Sequence, residues 1–151
     1  MKAYKFRLYL SAEQENIINN QLELCRVFYN SLLLQRIYAH MSKKKYVNYY
    51  YQHNELPELK DTFKEYKNIY SQSLQNVVKR VDKAFDNFFR RVKEKKSGKH
   101  QKVGFPRFKS KGRYKSLLTP VQALRYWTMA ILNYQRSEKS GCSCTVIYTV
   151  K

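Results

Sequence analysis

The sequence predicts a mainly α protein, a helical lobe with one strand at its N-terminus, on three observations. Leu74, Val77, Val78, Val81, Phe85, Phe88, Phe89 and Val92 recur at steps of three and four, the spacing of one helix face, over residues 71–96. Ile18, Leu22, Cys25, Tyr29, Leu32 and Leu33 mark a second stripe of the same period, running to about His40. Tyr4, Phe6, Leu8 and Leu10 alternate with Lys5, Arg7 and Tyr9, the period of a half-buried strand.

The long helix over 71–96 has its other face in Lys79, Arg80, Lys83, Arg90, Arg91, Lys93 and Lys95. One side can enter a core while the other meets an anion. Directly after it comes the most pointed stretch of the chain. Lys95, Lys96, Lys99, Lys102, Arg107, Lys109, Lys111, Arg113 and Lys115 occur with no Asp or Glu among them, and Phe105, Phe108 and Tyr114 are set between the charges. Cations neutralise phosphates, and interleaved aromatics offer flat faces to unpaired bases. The nine cations are therefore candidate backbone contacts, and the three aromatics candidate stacking residues.

Composition narrows the partner. The 151 residues suit one domain with a real core, and 30 Lys+Arg against 11 Asp+Glu give a net charge of +19. Such a chain repels itself unless it binds an anion, nucleic acid or an anionic membrane surface. No apolar run approaches the roughly 20 residues of a membrane span, and no signal-peptide core opens the chain. A cytoplasmic protein with no membrane partner and no small-molecule substrate is expected. Cys25 falls inside a helical pattern, and Cys142 with Cys144 makes C-x-C rather than the paired C-x-x-C of a zinc ribbon. Cys25 is read as a buried thiol; His40, His53 and His100 are scattered. Neither metal nor cofactor is expected.

In chain order, the opening strand needs a sheet partner from elsewhere, because a lone strand cannot satisfy its own backbone. Ser11 and Gln14 fit a capping box for the first helix. Phe28 and Tyr29 read as core; Asn30 beside them could be buried with partners or exposed. Lys43, Lys44, Lys45 and Asn48 suggest a loop, and Tyr49 opens a short helix or irregular segment reaching Pro57. Three consecutive tyrosines, 49–51, cannot share one helix face, so at least one is exposed. Pro57 disfavours helical geometry at Leu56. A solvated connector then leads to Ser71, where Ser71 or a neighbour caps the long helix.

The words Gly104-Phe105-Pro106-Arg107-Phe108-Lys109-Ser110-Lys111 resemble the G-F-P-R-F-K-S-K signature of the TnpB (OrfB) proteins of bacterial and archaeal insertion sequences, relatives of the type V CRISPR effectors. Further matches follow in the same order: Phe6-Arg7-Leu8-Tyr9, Cys25-Arg26-Val27-Phe28-Tyr29-Asn30, Glu55-Leu56-Pro57-Glu58-Leu59-Lys60, Leu74-Gln75, and Ala84-Phe85 to Phe88-Phe89-Arg90. Together they cover residues 1 to about 116. Leu10 departs from the family, which usually has Pro there.

The resemblance implies a division of the chain: residues 1–10 a stub of the wedge β-barrel, 11–97 the helical recognition region, 98–116 a basic nucleic-acid-binding segment. It implies DNA as a partner, with a transposon-encoded guide RNA as a second. Tyr49, Gln72 and Gln75 fall where the family reads the short motif beside its DNA target. A glutamine amide can bond an adenine edge with both arms, which makes Gln75 the best base reader. Ser71 stands where some relatives carry Lys. Such regions are commonly labelled helix-turn-helix, yet the connector from Pro57 to Ser71 is longer than the three-to-four-residue turn of a true DNA-reading pair.

After Ser116 the resemblance stops. The family continues with barrel strands and a ribonuclease-H-like nuclease domain, whereas residues 117–151 hold one acidic residue, Glu138, too few for a metal-binding carboxylate cluster. The tail does fit a shifted frame built from the last base of each codon and the first two of the next. Trp127-Thr128 forces Asp in that frame, and Met129-Ala130 forces Gly. Permitted synonymous choices extend this to F-T-Y-P-S-T-G-F-K-V-L-D-N-G-H-L-K-L-S-K-I-G-E-I-R, strand-like runs joined by an Asn-Gly turn. One base lost near codon 117 would produce it, leaving 117–151 a non-native, irregular tail.

The expected function is thus a truncated TnpB-like protein that binds nucleic acid and does not cut it. Two alternatives stand beside it: a stand-alone helical regulator reading a palindromic DNA site as a dimer, and a relic without function.

Overall fold

The computed structural model describes residues 3–7, 12–42, 47–100, 102–120 and 145–149, with side chains over 12–42, 47–100 and 102–118. It is mainly helical. Strand β1 (Ala3–Arg7) is followed by α1 (Ala12–Met41), α2 (Tyr49–Asn54), α3 (Leu56–Thr62), a 3-10 turn (Lys64–Asn68), α4 (Ser71–Lys96) and strands β2 (Ser116–Pro120) and β3 (Thr145–Thr149).

The core lies between the two long helices. From α1 come Ile18, Leu22, Cys25, Phe28, Tyr29, Leu32 and Leu33; from α4 come Leu74, Val77, Val78 and Val81, none of the latter more than 1% exposed. Each set keeps the three-and-four spacing that the sequence shows, so two amphipathic faces bury one another. Leu56, Tyr66 and Ile69, from α3, the 3-10 turn and the residue after it, close one side, and Tyr114 and Leu117 close another. The tyrosines at 49–51 divide as their succession requires: Tyr50 is 73% exposed, while Tyr49 packs half-buried against the core.

A buried polar knot joins three helices. Gln52 of α2 is 1% exposed and donates to Leu32 O (2.9 Å) and Gln35 Oε1 (2.8 Å), while its Oε1 accepts from Arg36 Nε (2.8 Å). Arg36 also pairs with Asp82 of α4 at 3.0 Å. Every arm of the buried amide used here has a partner, which removes the cost of taking it out of water.

One expectation about a helix end is corrected. Pro57 opens a helix rather than closing one: it sits in the first turn of α3, where a missing N–H costs nothing, and Leu56 before it is already the first residue of that helix. A neighbour of Ser71 caps α4, as expected: the cap is Tyr70, without a side-chain bond, while Ser71 is already helical and its Oγ accepts from Lys60 Nζ at 2.8 Å. Asn48 does cap α2, its Oδ1 accepting from the Tyr51 amide at 2.9 Å. Ser11, of the predicted capping box, lies outside the described residues, as do the Lys43–Lys45 loop, Cys142 and Cys144.

The strand expected to await a partner has one within this chain. The backbone of β3 runs between β1, to which it is parallel, and β2, to which it is antiparallel. The run Thr145-Val146-Ile147-Tyr148-Thr149 is rich in β-branched residues, which suits it to a sheet. The rest of the tail, expected to be irregular, lies outside the described residues.

Candidate nucleic-acid interface

The interface begins where α4 outruns its core. Beyond Val81 its apolar face continues through Phe85, Phe88, Phe89 and Val92, yet none of these is fully buried. α4 then ends at Ser97 and Gly98; Gly98 takes φ +86°, a left-handed turn that releases the chain from the helix. Residues 102–115 return along both long helices without forming an element of their own.

Side chains of α1 and α4 hold that return by its backbone. Asn30 Oδ1 accepts from the Lys109 amide at 2.8 Å, and Asn30 Nδ2 donates to Lys109 O at 3.0 Å. The same carbonyl accepts from Arg26 Nη1 at 2.9 Å. Arg26 is itself steadied by Glu23, whose carboxyl is held below its usual range by the hydrogen bond from Arg26. On α4, Arg91 Nη2 donates to Gly104 O (3.2 Å), Arg80 Nη1 to Ser116 O (2.9 Å) and Ser73 Oγ to Leu118 O (2.7 Å). The loop turns at Gly112, φ +76°, with Arg113 N donating to Ser110 O at 3.1 Å. Arg26, Asn30 and Arg91 thus fix a loop backbone that has no ladder of its own, and Arg80 and Ser73 hold the start of β2 after it.

With the backbone held, the cations face outward. Lys95, Lys96, Lys99, Lys102, Arg107, Lys109, Lys111, Arg113 and Lys115 are all exposed. Lys109 in addition sits with its ammonium 5.7 Å from the centre of the Tyr29 ring. The aromatics separate. Phe108 is 52% exposed and Phe105 47%, but Tyr114 is 8% exposed. Tyr114 is corrected from stacking candidate to core residue: its ring lies 6.4 Å from Tyr29 with the Arg80 guanidinium 5.1 Å away, and burial pushes its phenol well above the usual range. It has no free face for a base.

The residues expected to read target-adjacent DNA lie elsewhere. Gln72 and Gln75 occupy the first two turns of α4, Gln72 exposed and Gln75 half-buried, and neither side chain hydrogen-bonds to a described residue. Tyr49 is at the start of α2, its ring 5.5 Å from both Tyr50 and His53. Sequence reasoning missed the anchoring role of all four, Arg26, Asn30, Arg80 and Arg91: Asn30 is a polar residue beside two core aromatics there, and Arg80 and Arg91 belong to the face expected to meet an anion, whereas they hold carbonyls of this chain. Cys25 is fully buried, and burial pushes its thiol up to about 12. No group of His, Cys, Asp or Glu among the described residues could hold a metal ion, and none of their helices is long and apolar enough to cross a membrane.

The lobe thus pins an acid-free, cationic segment by its backbone and turns a surface of one charge sign outward. Comparison with known proteins supplies the rest. Residues 1–45 match the helix-turn-helix domain of the OrfB_IS605 type. The chain is 30% identical over 114 residues to a protein of Escherichia coli (strain K12) that carries the name RNA-guided DNA endonuclease InsQ. The aligned stretch is 74% of this chain and 26% of that relative, so the chain spans about a quarter of the protein it matches. The N-terminal region is therefore of the TnpB/OrfB type. Within the matched span, residues 12–41 form one continuous helix rather than a tight pair.

Proposed function

We propose that these 151 residues act as the nucleic-acid-binding part of a TnpB-like protein and bind without cutting. The observation that carries this reading is the loop 102–115, whose backbone is tied to α1 and α4 while every Lys and Arg on it is exposed. Holding a cationic segment in one shape lowers the ordering cost of binding. Phosphate is the target of the nine cations of the basic stretch, with Gln75 and Gln72 as base readers and Tyr49 as a further contact to DNA. DNA is the first partner and a transposon-encoded guide RNA the second. Cleavage is not assigned to this chain, because residues after Ser116 carry a single carboxylate, Glu138.

The test is the salt dependence of binding to duplex DNA. If about six cations engage phosphates, log affinity falls against log salt with a slope of roughly −5. An affinity indifferent to salt would sink the reading. A palindromic preference with a stable dimer would favour a stand-alone regulator instead.

The division at Ser116 belongs to the same proposal: residues 117–151 are read out of frame from a longer nuclease gene. The support is the shifted-frame continuation, with the Asp and the Gly that it forces. Leu117, 5% exposed, stands where that frame places Phe, so an apolar residue closes the core in either frame. Sequencing codons 114–119 and the DNA downstream decides it. A neighbouring frame encoding barrel strands and three acidic residues supports the shift; its absence removes it.

A further inference from the structure

The unspent apolar face of α4 points to a binding site that the cations alone do not define. Phe85, Phe88, Phe89 and Phe105 form one cluster. Phe105 meets Phe85 edge-on at 5.7 Å and Phe88 at 5.2 Å, and Phe89 lies 5.2 Å from Phe88 and 6.3 Å from Phe85. The carbonyl before Phe105, that of Gly104, is held by Arg91 at 3.2 Å, so the ring is placed by its backbone. Yet Phe89 is 50% exposed and Phe105 47%. Two large rings are thus seated on two others with about half their surface left to water.

The surroundings select the occupant. Lys93 and Lys96 follow Phe89 at four and seven residues, on its side of α4, and Arg90 adjoins it. Two carboxylates are near in sequence: Glu94, paired with Arg90 at 3.6 Å, and Asp86, one turn back. The cationic excess disfavours a second copy of a +19 chain and suits a polyanion. A polyanion with flat apolar faces is a single-stranded nucleic acid, because a duplex keeps its bases stacked on one another.

We propose that Phe89 and Phe105, on a floor of Phe85 and Phe88, form a stacking platform for unpaired nucleobases, giving this chain a preference for single strands over duplex. This rests on the nucleic-acid-binding reading above. The site uses Phe89, a residue whose spacing alone assigns it to the core.

The test compares wild-type protein with Phe89→Ala and Phe89→Trp on oligothymidylate, oligouridylate and a DNA duplex of equal length, by fluorescence anisotropy at fixed salt. A single strand carrying 2-aminopurine reports stacking directly. Phe89 is half exposed, so its loss leaves the fold intact, checked by circular dichroism. Phe89→Ala should weaken single-strand binding roughly ten-fold, the order that one stacked base supplies. It should abolish the 2-aminopurine quench and leave duplex binding and the salt slope unchanged; Phe89→Trp should restore both losses. Equal weakening on all three ligands, or an unchanged quench, overturns the platform while the binding reading stands. Dimerisation that Phe89→Ala removes, with no quench in wild type, also overturns it. Failure of wild-type protein to bind any of the ligands removes both. The two oligomers separate DNA from RNA as the source of the bases.

Discussion

The side chain of Asn30 bonds both backbone groups of Lys109, 79 residues later, accepting from its N–H at 2.8 Å and donating to its C=O at 3.0 Å. An amide side chain presents the same donor and acceptor pair as a strand, so Asn30 acts as a one-residue ladder for a segment that has none. The basic loop is thereby attached to α1 without using any of its cationic heads.

Asn30→Ala should free this attachment. Lys109's amide is expected to exchange with solvent deuterium much faster in the variant, and phosphate affinity to fall as the loop loses its fixed shape. Asn30→Asp keeps the acceptor for the amide but sets a carboxylate against the Lys109 carbonyl, so its amide protection should be intermediate. Loss of two hydrogen bonds is worth on the order of 1–3 kcal/mol. Equal exchange in all three proteins would show that the bond to Asn30 does not protect this amide.

Base reading and phosphate binding should separate by mutation. Arg107→Ala is expected to weaken binding to every DNA sequence alike and to reduce the salt slope by about 0.9. Gln75→Ala should leave the slope unchanged and cost about 1–3 kcal/mol at one base position, seen in competition between sites that differ only there. A Gln75→Ala variant with unaltered sequence preference would remove it from the reading set.

The two-helix core sets the stability of the lobe. Leu74 is completely buried, and truncation to Ala should cost about 2–5 kcal/mol in urea unfolding. The same truncation at exposed Leu34 should cost far less. Comparable losses at both sites would mean that α1 is covered on its outer side.

Alkaline pH should loosen the fold through Cys25. Burial raises the folded thiol from 9.0 to about 12, above its unfolded value. Stability is then fully present below about pH 9 and is lost as pH rises toward about 12, because the unfolded chain releases the proton first. Burial shifts Tyr29, Tyr66 and Tyr114 the same way. At neutral pH, iodoacetamide should reach Cys25 only on unfolding, read as the mass of its peptide so that Cys142 and Cys144 do not interfere. Rapid labelling of folded protein would contradict the burial.

The elements legible in the sequence are those whose signal is periodic. The stripes of α1 and α4 announce themselves because helix geometry imposes three-and-four spacing on any buried face, and the cations of 95–116 do so because a missing charge sign is a local property. Pro57 misled because one residue type both ends helices and begins them, and the choice lies in the packing of Leu56. Tyr114 misled because an aromatic among cations looks the same whether it meets a base or a core; Arg80 and Tyr29, distant in the chain, decide. The span of the apolar face past Val81 was visible, but not that the core stops there. Asn30's role is a contact across 79 residues, which no local pattern carries.

The chain leaves the lobe along α4 by two carbonyl contacts, Arg80 to Ser116 and Ser73 to Leu118. Carbonyls belong to every residue type, so these moorings are blind to spelling. Whatever amino acids a gene writes after this point, by substitution, recombination or a slipped frame, the same two bonds can form and the helices upstream keep their arrangement. The lobe is in that sense a socket with a fixed exit, one to which evolution can attach a new continuation, or lose the old one, without rebuilding the helices upstream.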